Sequence, residues 1–479
     1  MIARRLALLL CLALLSASVS LSCLPFGTRP KFPVLSLSGR KLDFHGWRDC
    51  YELTNGLITV TLAPSLGGRV LQYRLGNHSF FFLGREELGR TYRDRGFRRY
   101  HFFGGSYLQL HPEERWGSTG GSFDRAIMTD YPPHFYMGNY QLRTADIRPA
   151  RAVVELTGPY PALREKQSGK AVVVEGDPAT GVLATTRLEA YPYTTRLGVT
   201  HTIQNLSDKP QLWGVWEVTQ LRGNSEESGI LSLSDVADGS SWLYLPTSAA
   251  SRFKNGFLDL LAGQPVARES EKQWMPGLVP HVLAVQYLGR LGKVGVDVPS
   301  PWAAFVDQGR QLVFVVRGTT LQGQYPDGGC TLEVLTHGGP RAYPILEVNL
   351  FGPAVELGPG GKTSATFQWA AATCPPPIRD ASDLGVVSEP LSLSRQKTGW
   401  QLRGTFGVFY WAHAYVFFLD QKDTVIGKLH VGRVTPFEPI VLHDPVDIPA
   451  GTRSLSLSLY SVTNRKIGDL DRAELPGVP

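Results

Sequence analysis

Charge is scarce in this chain of 479 residues: Asp, Glu, Lys and Arg make up 19%, and the formal net charge is only +6. So small a balance gives no electrostatic reason to expect a nucleic-acid partner, whose phosphates call for a dense basic face. Long apolar runs are equally scarce. A helix needs about 20 consecutive apolar residues to cross a bilayer, and the nearest run, Leu6 to Leu15, breaks into serines. No window of a dozen residues keeps a 3.6-residue apolar period, so helices are expected only as short connectors. No segment repeats at a blade-like interval, which argues against a propeller. The common catalytic signatures are missing too: there is no GxSxG elbow, no GxxxxGK[ST] phosphate loop and no HExxH pair. "HPEE", His111 to Glu114, contains a proline, lacks a second histidine and reads as a turn. No metal and no cofactor are expected.

Cysteines number five. The first 22 residues have the layout of a secretory leader: Met1 to Arg5 carries two arginines, Leu6 to Leu15 is apolar, and small residues follow from Ser16. Export to a periplasm or cell envelope is expected. Cys23 closes "SLSC", which resembles a bacterial lipobox, although that pattern prefers its leucine one position earlier than Leu21. Lipid attachment through Cys23 and simple cleavage near "SAS" both stay open. With Cys23 acylated, Cys50, Cys330 and Cys374 remain in an oxidising compartment, where one disulfide and one free thiol are expected, in unassigned pairing.

What the chain has in quantity is glycine, 51 residues, and proline, 34. Between these breakers lie short alternating segments, among them "LITVTL", "RAVVEL", "RLGVTHTI", "QLWGVWEV", "TLEVL" and "ILEVNL". They read as strands, and the fold as all-β. Residues 24–373 form the expected larger unit, a two-sheet sandwich. Residues 374–390, "CPPPIRDASDLGVVSEP", read as a proline-rich linker, and residues 391–479 as a small accessory β-sandwich.

Two carboxylates interrupt strands that otherwise look buried. In "ILEVNL", alternation sets Ile345, Glu347 and Asn349 against an apolar face of Leu346, Val348 and Leu350. In "TLEVL", Glu333 stands opposite Leu332 and Val334 in the same way. A buried carboxylate must find water, a cation or hydrogen bonds, so both glutamates are candidate site residues. His201 shares a strand face with Ile203 and Asn205, and Trp216 lies on the next strand. A histidine there could donate a proton at neutral pH or serve as a structural hydrogen-bonding residue. Arginines cluster in residues 85–101, where Arg99 could meet a ligand or simply face water.

The order of several motifs resembles the galactose mutarotase-like superfamily. The opening "YELTNGLITVTLAPSLGGR", the "HTIQNL" strand and "LEVNLFGPAVELGPG" are similar to its first strands, its histidine strand and its catalytic-glutamate strand. An uncharacterised bacterial family of that superfamily matches more closely, through "GGSYLQLHPE", "NLSDKPQLWGVWEVTQ", "GKVG" and "YPDGGCTLE". The resemblance spans Tyr51 to Trp369 and implies a large β-supersandwich that recognises carbohydrate. It would make Glu347 a catalytic base and His201 an acid, as in aldose 1-epimerases. The chain departs from those enzymes where they carry an "HGG" turn, because Phe103 precedes Gly104 and Gly105 in this sequence.

Three readings follow. In the first, the domain binds a mono- or oligosaccharide without turnover. Aromatics between Phe97 and Tyr140 cover sugar faces, and Glu333, Asn349, Asp327, His111, Glu113, Tyr107, Trp216 and Arg99 form the binding set. In the second, Glu347 and His201 interconvert anomers. In the third, the protein is a structural or partner-binding envelope component.

Overall fold

The computed structural model describes residues 35–91, 101–116, 133–159, 162–167, 170–174, 180–339, 341–397 and 399–475. The leader, Cys23 and Arg99 lie outside these residues, as do Tyr100 and Tyr131. Among the described residues strands dominate, and the helices span three to five residues each, as at Pro133–Met137 and Ala267–Ser270. The fold is all-β.

Two large antiparallel sheets build the main body. The first runs in the order Ser38–Phe44, Trp47–Thr54, Ile58–Ala63, Arg69–Leu75, Gly105–His111, Gln211–Arg222, Ile345–Phe351, Leu332–Thr336, Gly292–Val296 and Leu258–Asp259. The second, of ten strands, has Trp302–Asp307, Leu312–Arg317, Lys362–Thr373 and Leu197–Asn205 at its centre. Their facing sides make one core. Leu332, Val334, Leu346, Val348 and Leu350 from the first sheet join Val199, Ile203, Phe367 and Trp369 from the second. Period-two alternation then sends every intervening residue of the Leu332–Thr336 and Ile345–Phe351 strands to the outer face. That register places Glu333, Glu347 and Asn349 where their sequence pattern puts them.

Past Thr373 the chain forms two four-stranded sheets. One is Asp380–Ala381, Gly385–Gln396, Gly399–Val408 and Ile440–Val446; the other is Val425–Val434, Ala412–Leu419, Ser454–Tyr460 and Lys466–Glu474. The stretch 374–390 is not a free linker. It supplies a strand and the start of another, and it buries Cys374, Ile378, Ala381 and Val386 with Phe409 against Val313, Ala370 and Ala372. Cys374, Ile378, Ala381 and Val386 stand four, three and five positions apart, so no period-two pattern marks them and the proline content dominates the sequence of this stretch.

The expected disulfide is absent among the described residues. Cys50, Cys330 and Cys374 are all buried free thiols. Cys50 packs with Trp47 and Phe103, Cys374 lies in the cluster beside Phe409, and Cys330 sits under the Asp327 turn, where its Sγ donates to the Asp327 carbonyl at 3.3 Å. Burial pushes the Cys50 and Cys374 thiols up to about 12, so neither behaves as a ready thiolate.

Candidate functional site

The outer face of the first sheet can be mapped from its register, because directly paired residues of antiparallel strands share a face. One row reads Lys293, Leu335, Glu347 and Gln220; the next reads Gly295, Glu333, Asn349, Val218 and Tyr107; a third holds Phe351, Trp216 and Gln109. Polar side chains thus line neighbouring rungs of one face, all of them mostly buried.

Hydrogen bonds tie these rungs together. Trp216 donates its indole N–H to Asn349 Oδ1 at 2.7 Å, Asn349 Nδ2 contacts Glu347 Oε1 at 3.3 Å, and Gln220 Nε2 donates to Glu347 Oε2 at 2.8 Å. His337 Nε2 lies 3.9 Å from Glu347 Oε2. Burial raises the Glu347 carboxyl, but His337, Gln220 and Asn349 together outweigh it and hold the group below its ordinary value. Glu347 is therefore ionised at neutral pH.

Glu333 has the opposite environment. Its side chain is 1% exposed, and Lys293 Nζ reaches its Oε2 at 2.9 Å and Asp327 Oδ2 at 2.7 Å. Glu333 Oε1 is buried with no hydrogen-bond partner. Burial raises the Glu333 carboxyl to about 8; Lys293 pulls it down, while the Asp327 charge and hydrogen bond push it up. Asp327 is lowered, because Lys293 offsets its burial. Burial works against the Lys293 ammonium, but the carboxyl groups of Glu333, Asp327 and Glu113 outweigh it and raise its pKa. The cluster thus holds a cation, an anion and a carboxyl that keeps its proton at neutral pH.

Local backbone sets this up. Asp327 adopts a left-handed φ of 46°, followed by Gly328 and Gly329 at 76° and 104°, a turn that aims its carboxylate at Lys293. Gly295 is paired with Glu333, and a Cβ there would lie 2.4 Å from Cys330 Sγ and 3.3 Å from Glu333 Cγ. Only glycine leaves Glu333 its place.

A cavity of about 260 Å³ opens at this cluster. Of the expected binding residues, His111, Glu113, Trp216, Asp327 and Glu333 line it, together with Lys293 and Phe351. Asn349 backs it through Trp216, and Glu347 lies one rung away, outside the lining. Tyr107 is on the same face but not in the cavity. It is 3% exposed and packs on the buried Arg69 guanidinium, 3.8 Å from the ring centroid, with Tyr136 on the other contact at 4.5 Å. Phe103, Phe135 and Tyr136 are core residues. "HPEE" begins at a strand end and continues as a 3-10 turn, Glu113–Trp116.

His201 is in the wrong place for an acid partner of Glu347. It points between the two sheets, 2% exposed, with Nδ1 2.9 Å from Thr186 Oγ1 and Nε2 3.6 Å from Glu217 Oε2. Glu217 in turn accepts from Trp369 Nε1 at 2.6 Å. The same alternation that sends Glu347 outward sends His201 inward, since Leu197, Val199 and Ile203 share its face.

Sequence reasoning assigned no role to Lys293, His337, Gln220 or Phe351. Lys293 sits in the quoted "GKVG". His337 opens an "HGG" turn, and the pairing of Leu335 with Glu347 puts it on the same face of the sheet as that glutamate. Among the described residues no three His, Cys, Asp or Glu side chains gather as a metal-binding group.

No family model and no curated protein sequence matches the chain. Solved structures do. The Slr1438 protein of Synechocystis sp. PCC 6803 aligns at 14% identity with a TM-score of 0.42, covering 70% of this chain and 99% of its own. A galactose mutarotase-like protein of Clostridium acetobutylicum aligns at 12% identity and a TM-score of 0.43, covering 71% and 99%. Another, from Lactobacillus casei, aligns at 11% and 0.38, covering 67% and 99%. The architecture itself stands on the strand order and register described above.

Proposed function

We propose that the outer face of the first sheet is a carbohydrate-binding face, with the cavity beside Glu333 as its sugar pocket. The observation that carries this reading is the buried, unpartnered Glu333 Oε1 at a cavity walled by the rings of Trp216 and Phe351. A sugar ring offers an apolar face to such rings and hydroxyls to polar groups at its edge. Glu333, Asp327, Lys293 and His111 supply both donors and acceptors. A volume of about 260 Å³ lies just below the usual small-molecule range and suits one or two sugar rings. Saturation-transfer NMR of the full chain against mono- and oligosaccharides, uronates included, tests the proposal. Transfer to a saccharide that is lost in Glu333→Gln and Trp216→Ala supports it; no transfer to any sugar refutes it.

Anomer interconversion is a second reading, favoured by one observation. Glu347, ionised, and Glu333, protonated, are diagonal neighbours on adjacent strands, and ring opening needs one base and one acid. In that case the acid is Glu333 rather than His201. Exchange of anomers recorded in the same samples should be accelerated by the wild-type chain and abolished by Glu347→Gln. Equal exchange rates with and without protein would remove the reading.

We also infer export, from the basic, apolar and small-residue layout of residues 1–22, with Cys23 as a lipid-attachment point. Cell fractionation with Cys23→Ser tests both: a membrane-bound protein that the substitution releases fits lipidation, and a cytosolic protein refutes export.

A further inference from the structure

The C-terminal sandwich carries a second cleft that the sugar pocket does not involve. In the Ser454–Tyr460 strand, Leu455, Leu457 and Leu459 enter the local core, which leaves Ser454, Ser456, Ser458 and Tyr460 on the opposite face. On the neighbouring Ala412–Leu419 strand, Val416 and Phe418 point inward, while Tyr415 and Phe417 point outward. Small serines beside large rings make a depression of about 240 Å³.

Its walls are of two kinds. Phe417 and Tyr460 line it, with centroids 5.9 Å apart, and Tyr415, outside the lining, extends the aromatic group at 6.1 and 5.4 Å from them; all three rings are partly exposed. The floor is polar: Ser456 and Ser458 hydroxyls lie 3.2 Å apart, and Ser458 donates to Asp469. The charged lining residues are Asp423, Asp469, Lys466 and Arg472, two of each sign. They are already paired, Lys466 with Asp469 at 2.7 Å and Arg472 with Asp423. A cleft whose charges cancel gives no net attraction to an anion or a cation. It offers instead an apolar ring surface next to closely spaced hydroxyl and carboxylate groups, which matches a neutral polyhydroxylated ring.

We propose that this cleft is a second saccharide site, specific for a neutral oligosaccharide chain. It stands independently of the Glu333 pocket. Two sugar sites on one chain raise the effective concentration of each for a polymeric glycan, so a polysaccharide is held more tightly than its fragments.

The test is calorimetric titration of the full chain with neutral hexasaccharides of glucose, xylose, mannose and N-acetylglucosamine, and with a hexauronate. Phe417→Ala/Tyr460→Ala removes the rings of the cleft, exposed Lys466→Ala removes a rim donor while keeping the rings, and Trp216→Ala reports on the other site. The expected result is binding of a neutral hexasaccharide that weakens at least tenfold in the ring variant and measurably in Lys466→Ala, and that persists in Trp216→Ala. That pattern holds even if the Glu333 pocket binds nothing. Neutral binding that is unchanged by both cleft variants overturns the proposal while leaving the Glu333 pocket intact. Binding of the hexauronate alone, or of no hexasaccharide, overturns it as well.

Discussion

Glu217 and Glu333 are both almost wholly buried, at 0% and 1% exposure, yet their surroundings give them different work. Glu217 lies between the sheets and is held by Trp369 and His201. Glu217→Ala leaves the buried Trp369 indole N–H without its acceptor, so it should cost about 1–3 kcal/mol in chemical denaturation. His201→Ala should also lower stability and leave saccharide affinity unchanged. A His201 variant that folds as stably as wild type but loses anomer exchange would contradict a structural role for this histidine. Glu333 faces a cavity and holds its proton up to about pH 8. Its folded value lies above the ordinary 4.5 of a glutamate, so its contribution to stability is full below about 4.5 and is lost as pH rises through 8. Denaturation midpoints should fall across that window, and Glu333→Gln should flatten the decline. A wild-type midpoint that instead rises with pH there, with the variant unchanged from wild type, would argue against a protonated Glu333.

At the scale of strands, alternation carried most of what was legible. "ILEVNL" and "TLEVL" show their inner and outer faces directly, because every second residue is a branched apolar one. The same rule applied to "LGVTHTI" places His201 with Leu197, Val199 and Ile203 in the core. The resemblance to a histidine strand pulled the reading the other way, and the apolar neighbours were the better guide. Partners across strands were the part that local sequence could not show. Lys293 meets Asp327 and Glu333 from 34 and 40 positions away, and only the pairing of Gly292–Val296 with Leu332–Thr336 brings them together. That pairing has no room for a side chain at Gly295. Gly295→Val should cost about 1–3 kcal/mol through overpacking against Cys330 and should displace Glu333, weakening saccharide binding. Unchanged stability and affinity in this variant would mean that the strand relaxes around the added atoms.

On the scale of the whole molecule, the large and small sandwiches share a seam. Phe409, Val386, Ile378 and Cys374 pack on Val313, Ala370 and Ala372, and backbone bonds run from Thr195 and Trp411 to Phe409 and Tyr193 at 2.8 and 2.9 Å. The proline-rich stretch is part of that seam, so truncation after Thr373 would strip an apolar surface bare. The shortened chain should aggregate or melt several degrees below the intact one, and the intact chain should unfold in a single calorimetric transition. Two well-separated transitions would show that the sandwiches are independent. The proposed sugar-binding face belongs to the same scale, because the five strands that compose it come from positions between Gly105 and Phe351. The most direct measurement is saturation-transfer NMR of the full chain with a saccharide panel, repeated in Glu333→Gln and in Phe417→Ala/Tyr460→Ala. A carbohydrate-binding outer face requires at least one saccharide whose transfer Glu333→Gln abolishes and the loss of the C-terminal rings leaves in place. A panel in which Glu333→Gln leaves the transfer of every saccharide untouched, or no transfer to any sugar, would contradict it.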